Sequence, residues 1–226
     1  MESTVAMSVE GGGRSARSVD ELWLDVLQHI GARTAHELKG ALNGVAVNLE
    51  VVRSRAAKPD TAAAAIGSFA SSAADQLEAV VDMTEALLAL TRAPREPLDV
   101  FETVQAFASL LTPSARADGS SLRVETPSRE IGGRTLRTPG NIARAVIGAA
   151  LLAALASRGD VRCRIEAGEE TIVSIECADA EAPLTLAPDV LAVAAAGAVR
   201  VQQESRSLSL IFPRAGAARQ LIPEGA

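Results

Sequence analysis

The chain has 226 residues, 48% hydrophobic and 22% charged, with a formal net charge of −6. That balance suits one or two small soluble domains and disfavours non-specific nucleic-acid binding, which runs on positive charge. Aromatics make up 2% with no tyrosine, so a stacking platform for single-stranded nucleic acid is not expected either.

The two cysteines, Cys163 and Cys177, are too few for a disulfide framework. The richest apolar run, residues 145–156, is too short to cross a membrane. The N-terminus has no basic stretch followed by an apolar one, so no signal peptide is expected. These features together predict a cytoplasmic protein with reduced thiols and no membrane or nucleic-acid partner, and with room for neither an input domain nor a membrane anchor. Residues 1–17 carry a glycine run, Gly11-Gly12-Gly13, and little apolar matter, and read as disordered.

A first helix is predicted over residues 19–57. Ser18 with Glu21 forms a capping box at its start, and Pro59 stops it. Its apolar positions follow a heptad. Leu24, Gly31, Leu38, Val45 and Val52 fall at a, and Leu27, Thr34, Ala41 and Asn48 at d. Ala35, Leu42 and Leu49 widen the stripe at e, and Ile30, Gly44 and Val51 at g, which makes a bundle face rather than a narrow seam.

In this frame His36 falls at f, in one row with His29, Asn43 and Glu50, and is presented to solvent in mid-helix. Position alone fits an incidental surface histidine, but its neighbours do not. A neutral imidazole nitrogen is a nucleophile near pH 7 that readily forms a phosphoramidate. The adjacent carboxylate of Glu37 can accept its proton or fix its tautomer. Lys39, three residues on, shares its face and can attract phosphoryl oxygens or an acidic partner. His36, Glu37 and Lys39 are therefore the candidate catalytic residues. No metal-ligating cluster and no cofactor-binding motif accompanies them.

Asp60 reads as the cap of a second helix from about Thr61 to Arg92. Ile66, Ala73, Val80 and Leu87 recur at sevens, interleaved by Ala70, Leu77, Thr84 and Thr91. Two long helices with a short loop make an antiparallel hairpin over residues 18–93, which cannot cover its own stripe. Two chains forming a four-helix bundle would cover it, so a homodimer is expected.

The segment Ala93-Pro94-Arg95-Glu96-Pro97 is the expected domain boundary, and a second unit spans 94–213. Asp99–Leu111 reads as a helix ending before Pro113, and Ser121–Thr126 as a strand. Pro139–Ala156 reads as a buried, alanine-rich helix. Val161–Ala167 and Thr171–Cys177 read as a hairpin. Pro188–Ala196 reads as a short helix ending at Gly197, and Ala198–Gln203 with Ser207–Phe212 as a second hairpin. Placing Val161, Cys163 and Ile165 on the core face opposite Val173, Ile175 and Cys177 pairs Ala167 with Thr171. Cys163 then faces Ile175 and Cys177 faces Val161, which leaves the two sulfurs diagonal and unbridged. Residues 214–226 read as a flexible tail.

The run His36-Glu37-Leu38-Lys39-Gly40-Ala41-Leu42-Asn43 resembles the phospho-acceptor box of the two-component histidine kinases. The element order after residue 98 resembles their ATP-binding domain, a sheet backed by helices. Several positions depart from that family. Gly40 stands where an Asn or Thr usually orients a hydrolytic water, and Ala41 replaces a proline. Gly148 and Leu152 stand where asparagines hold Mg²⁺ and phosphates, and no Asp, Glu, Asn or Gln lies within residues 142–156. The segment after the second hairpin strand reads Cys177-Ala178-Asp179-Ala180-Glu181-Ala182-Pro183, without the family's glycines, and the glycine-rich lid is absent.

The fold expected is α+β: a dimeric antiparallel helical hairpin followed by a vestigial histidine-kinase ATPase-like α/β sandwich. The chain resembles the ChpT-type histidine phosphotransferases, degenerate members of the kinase family. That resemblance implies a phosphorelay protein that accepts a phosphoryl group on His36 from a response-regulator receiver domain and passes it to another. It implies no cofactor, Mg²⁺ being needed only by the receivers. A divergent histidine kinase with a cryptic ATP site and a non-catalytic dimeric adaptor remain as alternatives.

Overall fold

A computed structural model describes residues 17–58, 62–94, 98–125, 137–179 and 183–213. The disordered segment expected at 1–17 (apart from Arg17), the Asp60 cap and the tail at 214–226 lie outside the described residues. The first helix, α1, spans Val19–Ala56. At its start the Ser18 hydroxyl accepts from the Glu21 backbone N–H, and the Glu21 carboxylate accepts from that of Ser18. Both halves of the capping box satisfy otherwise orphaned donors. These bonds to Ser18 hold the Glu21 carboxyl below the usual glutamate range. The second helix, α2, spans Ala63–Thr91 and lies antiparallel to α1.

Beyond the hairpin come α3 (Val100–Ala117), β1 (Ser121–Glu125), α4 (Gly140–Ala156), β2 (Asp160–Ala167), β3 (Glu170–Cys177), α5 (Pro188–Ala196), β4 (Arg200–Gln203) and β5 (Ser207–Pro213). The strands form one sheet in the order β1-β2-β3-β5-β4, with β1 parallel to β2 and the other pairs antiparallel. On β2 and β3 burial alternates strictly, as one covered face demands. Val161, Cys163, Ile165, Val173, Ile175 and Cys177 form the core face under the helices. Ala167 pairs with Thr171, Cys163 with Ile175 and Cys177 with Val161, the register expected from the sequence. Both thiols are free. The open face is polar, with Arg162 and Arg164 both paired to Glu125, at 3.2 and 2.7 Å.

Two elements differ from expectation. α3 does not stop before Pro113 but runs through it to Ala117. The proline removes the hydrogen bond to the Ser109 carbonyl, but Ser109 is exposed and water can replace it. On the other side of the same turns Leu110, Leu111, Ser114 and Ala115 are buried, so packing outweighs the local penalty. The end of α5 is the second. Its cap Gly197 has an ordinary φ of −91°, and the left-handed residue is the following Ala198, at φ 57°. The Val199 N–H reaches back to the Ala194 carbonyl and closes the turn.

The hairpin packs differently from a free-standing pair. In the N-terminal half of α1 the buried residues are Leu22, Val26, Ile30 and Thr34, an i±4 ridge rather than one heptad column. This ridge meets α3 and α4. The contact is close because Gly148 has no side chain: a Cβ there would lie 2.5 Å from Val26 Cγ1 and 2.8 Å from Phe107 Cζ. Trp23 meets Phe107 edge-on, with ring centroids 6.4 Å apart. The Arg144 guanidinium lies 4.9 Å from the Trp23 ring centroid and donates to the Leu90 and Arg92 carbonyls, which caps the C-terminus of α2. Hairpin and sheet unit thus share one apolar core.

Within that core the Thr34 hydroxyl has no hydrogen-bond partner. Thr34→Val is expected to raise stability by about 1 kcal/mol, because it removes an unsatisfied buried hydroxyl at nearly constant shape. Urea unfolding is the check, and a fall in the midpoint would show that the hydroxyl is satisfied in solution.

Candidate functional site

His36 lies near the middle of α1, two residues beyond Thr34, the last residue of the buried ridge, which packs on the far side of the helix. Its side chain is exposed, and neither it, Glu37 nor Lys39 makes a side-chain hydrogen bond or ion pair among the described residues. The helix spacing separates their roles. Lys39 at i+3 shares the face of His36, whereas Glu37 at i+1 is turned about 100° away and half-buried. Glu37 therefore reaches the imidazole only by a change of rotamer or through water.

The other histidine is engaged. His29 Nδ1 donates to the Asp25 carbonyl at 2.9 Å and lies 3.6 Å from the Asp25 carboxylate. One turn past His36, Gly40 is exposed, and a Cβ there would meet nothing within 4 Å. Along the same row Asn43 is exposed and Val47 is 63% exposed. The imidazole thus stands on an open strip of helix, with a cation on one side and cleared space below it.

The sequence reading did not single out Arg33, three residues before His36. Its guanidinium is paired with Asp118, at the turn between α3 and β1, at 3.4 Å. A cation at i−3 was the available signal. The reading also missed the inner column of α2, formed by Phe69, Gln76, Met83 and Leu90. Gln76 crosses to α1, where Asn48 Nδ2 donates to its Oε1 at 3.1 Å and to Ser72 Oγ at 3.2 Å.

Besides Val47, the large apolar residues left uncovered among the described residues are Leu24, Leu42 and Leu49 on α1, and Leu77, Val81 and Leu88 on α2, each about half exposed. Ala35, Leu42 and Leu49 are the e column of α1. Leu77 and Thr84 belong to the interleaved column of α2, and Val81 and Leu88 lie beside them. Leu38, by contrast, is packed against the chain's own core.

On α4, Gly148 is filled by its neighbours, Leu152 is half-buried among apolar residues, and Arg144 is committed to the end of α2. Burial lowers the pKa of Arg144 from the usual arginine range. Asp179 is exposed in the turn after β3, and Glu181 lies outside the described residues. From Ile142 to Ala156 no side chain of α4 carries an oxygen that could ligate Mg²⁺, and the Asn141 Oδ1 at its start accepts from the Ile142 backbone N–H. Among the described residues no group of three or more His, Cys, Asp or Glu side chains is placed to hold a metal ion. No described helix is long and apolar enough to cross a membrane.

No protein-family model matches the chain. No curated protein matches it in sequence. Among solved structures it is similar to the Acinetobacter baumannii histidine kinase AdeS, at 14% identity and TM-score 0.40, over 80% of this chain and 98% of that one. It is similar to the histidine kinase ThkA, solved in complex with the response regulator protein TrrA, at 14% identity and TM-score 0.39, over 87% of this chain and 64% of that one. It is also similar to the blue-light activated histidine kinase EL346 of Erythrobacter litoralis, at 14% identity and TM-score 0.31, over 62% of this chain and 55% of that one.

Proposed function

We propose that the protein is a histidine phosphotransferase of a two-component phosphorelay, with the hairpin 18–93 as its transfer unit and 94–213 as a kinase-like unit that binds no ATP. The observation that carries this reading is His36 itself: exposed and unengaged in mid-helix, followed by Glu37 and Lys39, with open space at Gly40. A receiver domain bearing an aspartyl-phosphate docks over this strip. The lone pair of a ring nitrogen forms the N–P bond as the P–O bond to the aspartate breaks. The aspartate leaves as a carboxylate, and the ring proton passes to water or, after a rotamer change, to Glu37. Lys39 offsets the added phosphoryl charge. The reverse step at a second receiver completes the relay.

The chemistry of α4 supports the absence of ATP binding. A nucleoside triphosphate needs Mg²⁺ or basic and backbone donors to offset its charge. Gly148, Leu152 and Arg144 are spent on packing and on capping α2. The working setting of such a relay is the cytoplasm. The test uses the full chain in two arms, one with purified receiver domains charged with labelled acetyl phosphate and one with labelled Mg-ATP. Label from a receiver and none from millimolar Mg-ATP is expected. Label from ATP alone favours a divergent kinase, and none from either favours a non-catalytic adaptor.

The uncovered leucines support a homodimer through the hairpin, since a second copy buries both bare edges in a four-helix bundle. Leu42 is a cleaner probe than Leu38 because it is half exposed, whereas Leu38 packs against the core of its own subunit. Leu42→Asp is expected to weaken association by about 2 kcal/mol or more per subunit, enough to give monomers at micromolar concentration. Light scattering reads this directly, and a wild-type monomer at that concentration would refute the dimer.

A further inference from the structure

Arg33 sits one turn before His36, Lys39 one turn after it, and the i±3 spacing puts their Cβ atoms about 5–6 Å from that of the histidine. The imidazole is therefore flanked by two cations. Lys39 is free, whereas Arg33 is held by a residue from the other side of the molecule: Asp118 at the end of α3, 3.4 Å away. The turn that carries Asp118 is firmly built. The Asp118 N–H donates to the Ser114 carbonyl, the Gly119 N–H to that of Arg116, and the N–H of buried Ser120 to that of Ala115. Gly119 takes the left-handed conformation at φ 79° that the turn requires.

As a stabilising contact this pair is poor. Its side chains are 37% and 63% exposed, and exposed single ion pairs are worth about 0–1 kcal/mol. As a way to station a guanidinium beside a future phosphoryl group it is well placed. A carboxylate offers one negative charge, and a phosphohistidine offers nearly two with three acceptor oxygens in a geometry that guanidinium binds bidentately.

We propose that Arg33 is a phosphoryl-positioning residue, parked on Asp118 of the kinase-like unit in the resting protein and handed to the phosphoryl group when His36 is modified. This rests on the phosphotransferase reading. It gives the sheet unit a part in the chemistry that needs no nucleotide: it sets where the cation waits.

The experiment treats the full chain with potassium phosphoramidate and follows phosphohistidine by ³¹P NMR, with mass spectrometry to place it. In this reaction a ring nitrogen attacks phosphorus, the P–N bond of the reagent breaks, and ammonia leaves carrying the ring proton as ammonium. Arg33→Gln is expected to slow uptake at His36 about tenfold and to shorten the lifetime of the phosphorylated form, with Arg33→Lys in between. Asp118→Asn frees Arg33 and is expected to label at least as fast as wild type.

A merely structural ion pair would make Arg33→Gln and Asp118→Asn behave alike, so a parallel fall in both overturns the proposal. Arg33→Gln indistinguishable from wild type, with His36 labelled normally in both, overturns it and leaves the phosphotransferase reading standing. A wild-type protein that takes no label at His36 removes that reading, and this role with it.

Discussion

His36→Ala is expected to take up no phosphoryl group from a charged receiver domain, a fall of about 10³-fold or more, because removing the nucleophile removes the pathway rather than slowing it. The fold should persist. The side chain is exposed and unpartnered, and exposed helical substitutions of this kind cost within about 0.5 kcal/mol. Circular dichroism and the unfolding midpoint should therefore match wild type while transfer is lost. His29→Ala is the control. It removes a histidine already engaged by Asp25, and it should transfer normally. Quantitative labelling of the His36→Ala protein would sink the assignment.

How far the sequence leads depends on whether a residue answers to local or to distant neighbours. The capping box at Ser18, the exposure of His36 and the β2–β3 register are all local. They follow from spacing along one element or across one turn, and the structure has each of them. Pro113 misleads for the opposite reason. Its local signal is a stop, and what overrides it is burial of Leu110, Leu111 and Ala115 by elements far away in sequence. The ridge Leu22–Val26–Ile30–Thr34 is hidden in a heptad reading because it serves a partner crossing at an angle, not a parallel seam. A period of seven describes the part of α1 that pairs with α2, and a spacing of four describes the part that packs on α3 and α4.

The same division explains the site. His36, Glu37 and Lys39 announce themselves as a contiguous motif. Arg33 becomes notable only once Asp118, 85 residues on, is seen against it. Arg144 reads as an oddity in an alanine-rich helix until the carbonyls of Leu90 and Arg92 supply its purpose. Such residues have partners that no window on the sequence contains.

The thiol on β2 gives the other large effect. Cys163 is fully buried on the core face, and burial pushes its pKa from the ordinary 9.0 to about 12. The native state therefore keeps this proton where the unfolded chain has lost it. By linkage, stability is unaffected below about pH 9 and falls by roughly 1.4 kcal/mol per pH unit between about 9 and 12, approaching about 4 kcal/mol in total. Few other groups compete in that window, since the chain has no tyrosine, one other thiol, Cys177, and only two lysines, Lys39 and Lys58, both exposed. Urea unfolding of wild type at pH 8.0 and 10.5 should show the loss under reducing conditions. Cys163→Ala should be less stable at neutral pH, from the small cavity it leaves, but nearly flat across the same interval. The two stability curves should thus converge as the pH rises. An alkaline slope in Cys163→Ala equal to that of wild type would place the titrating group elsewhere.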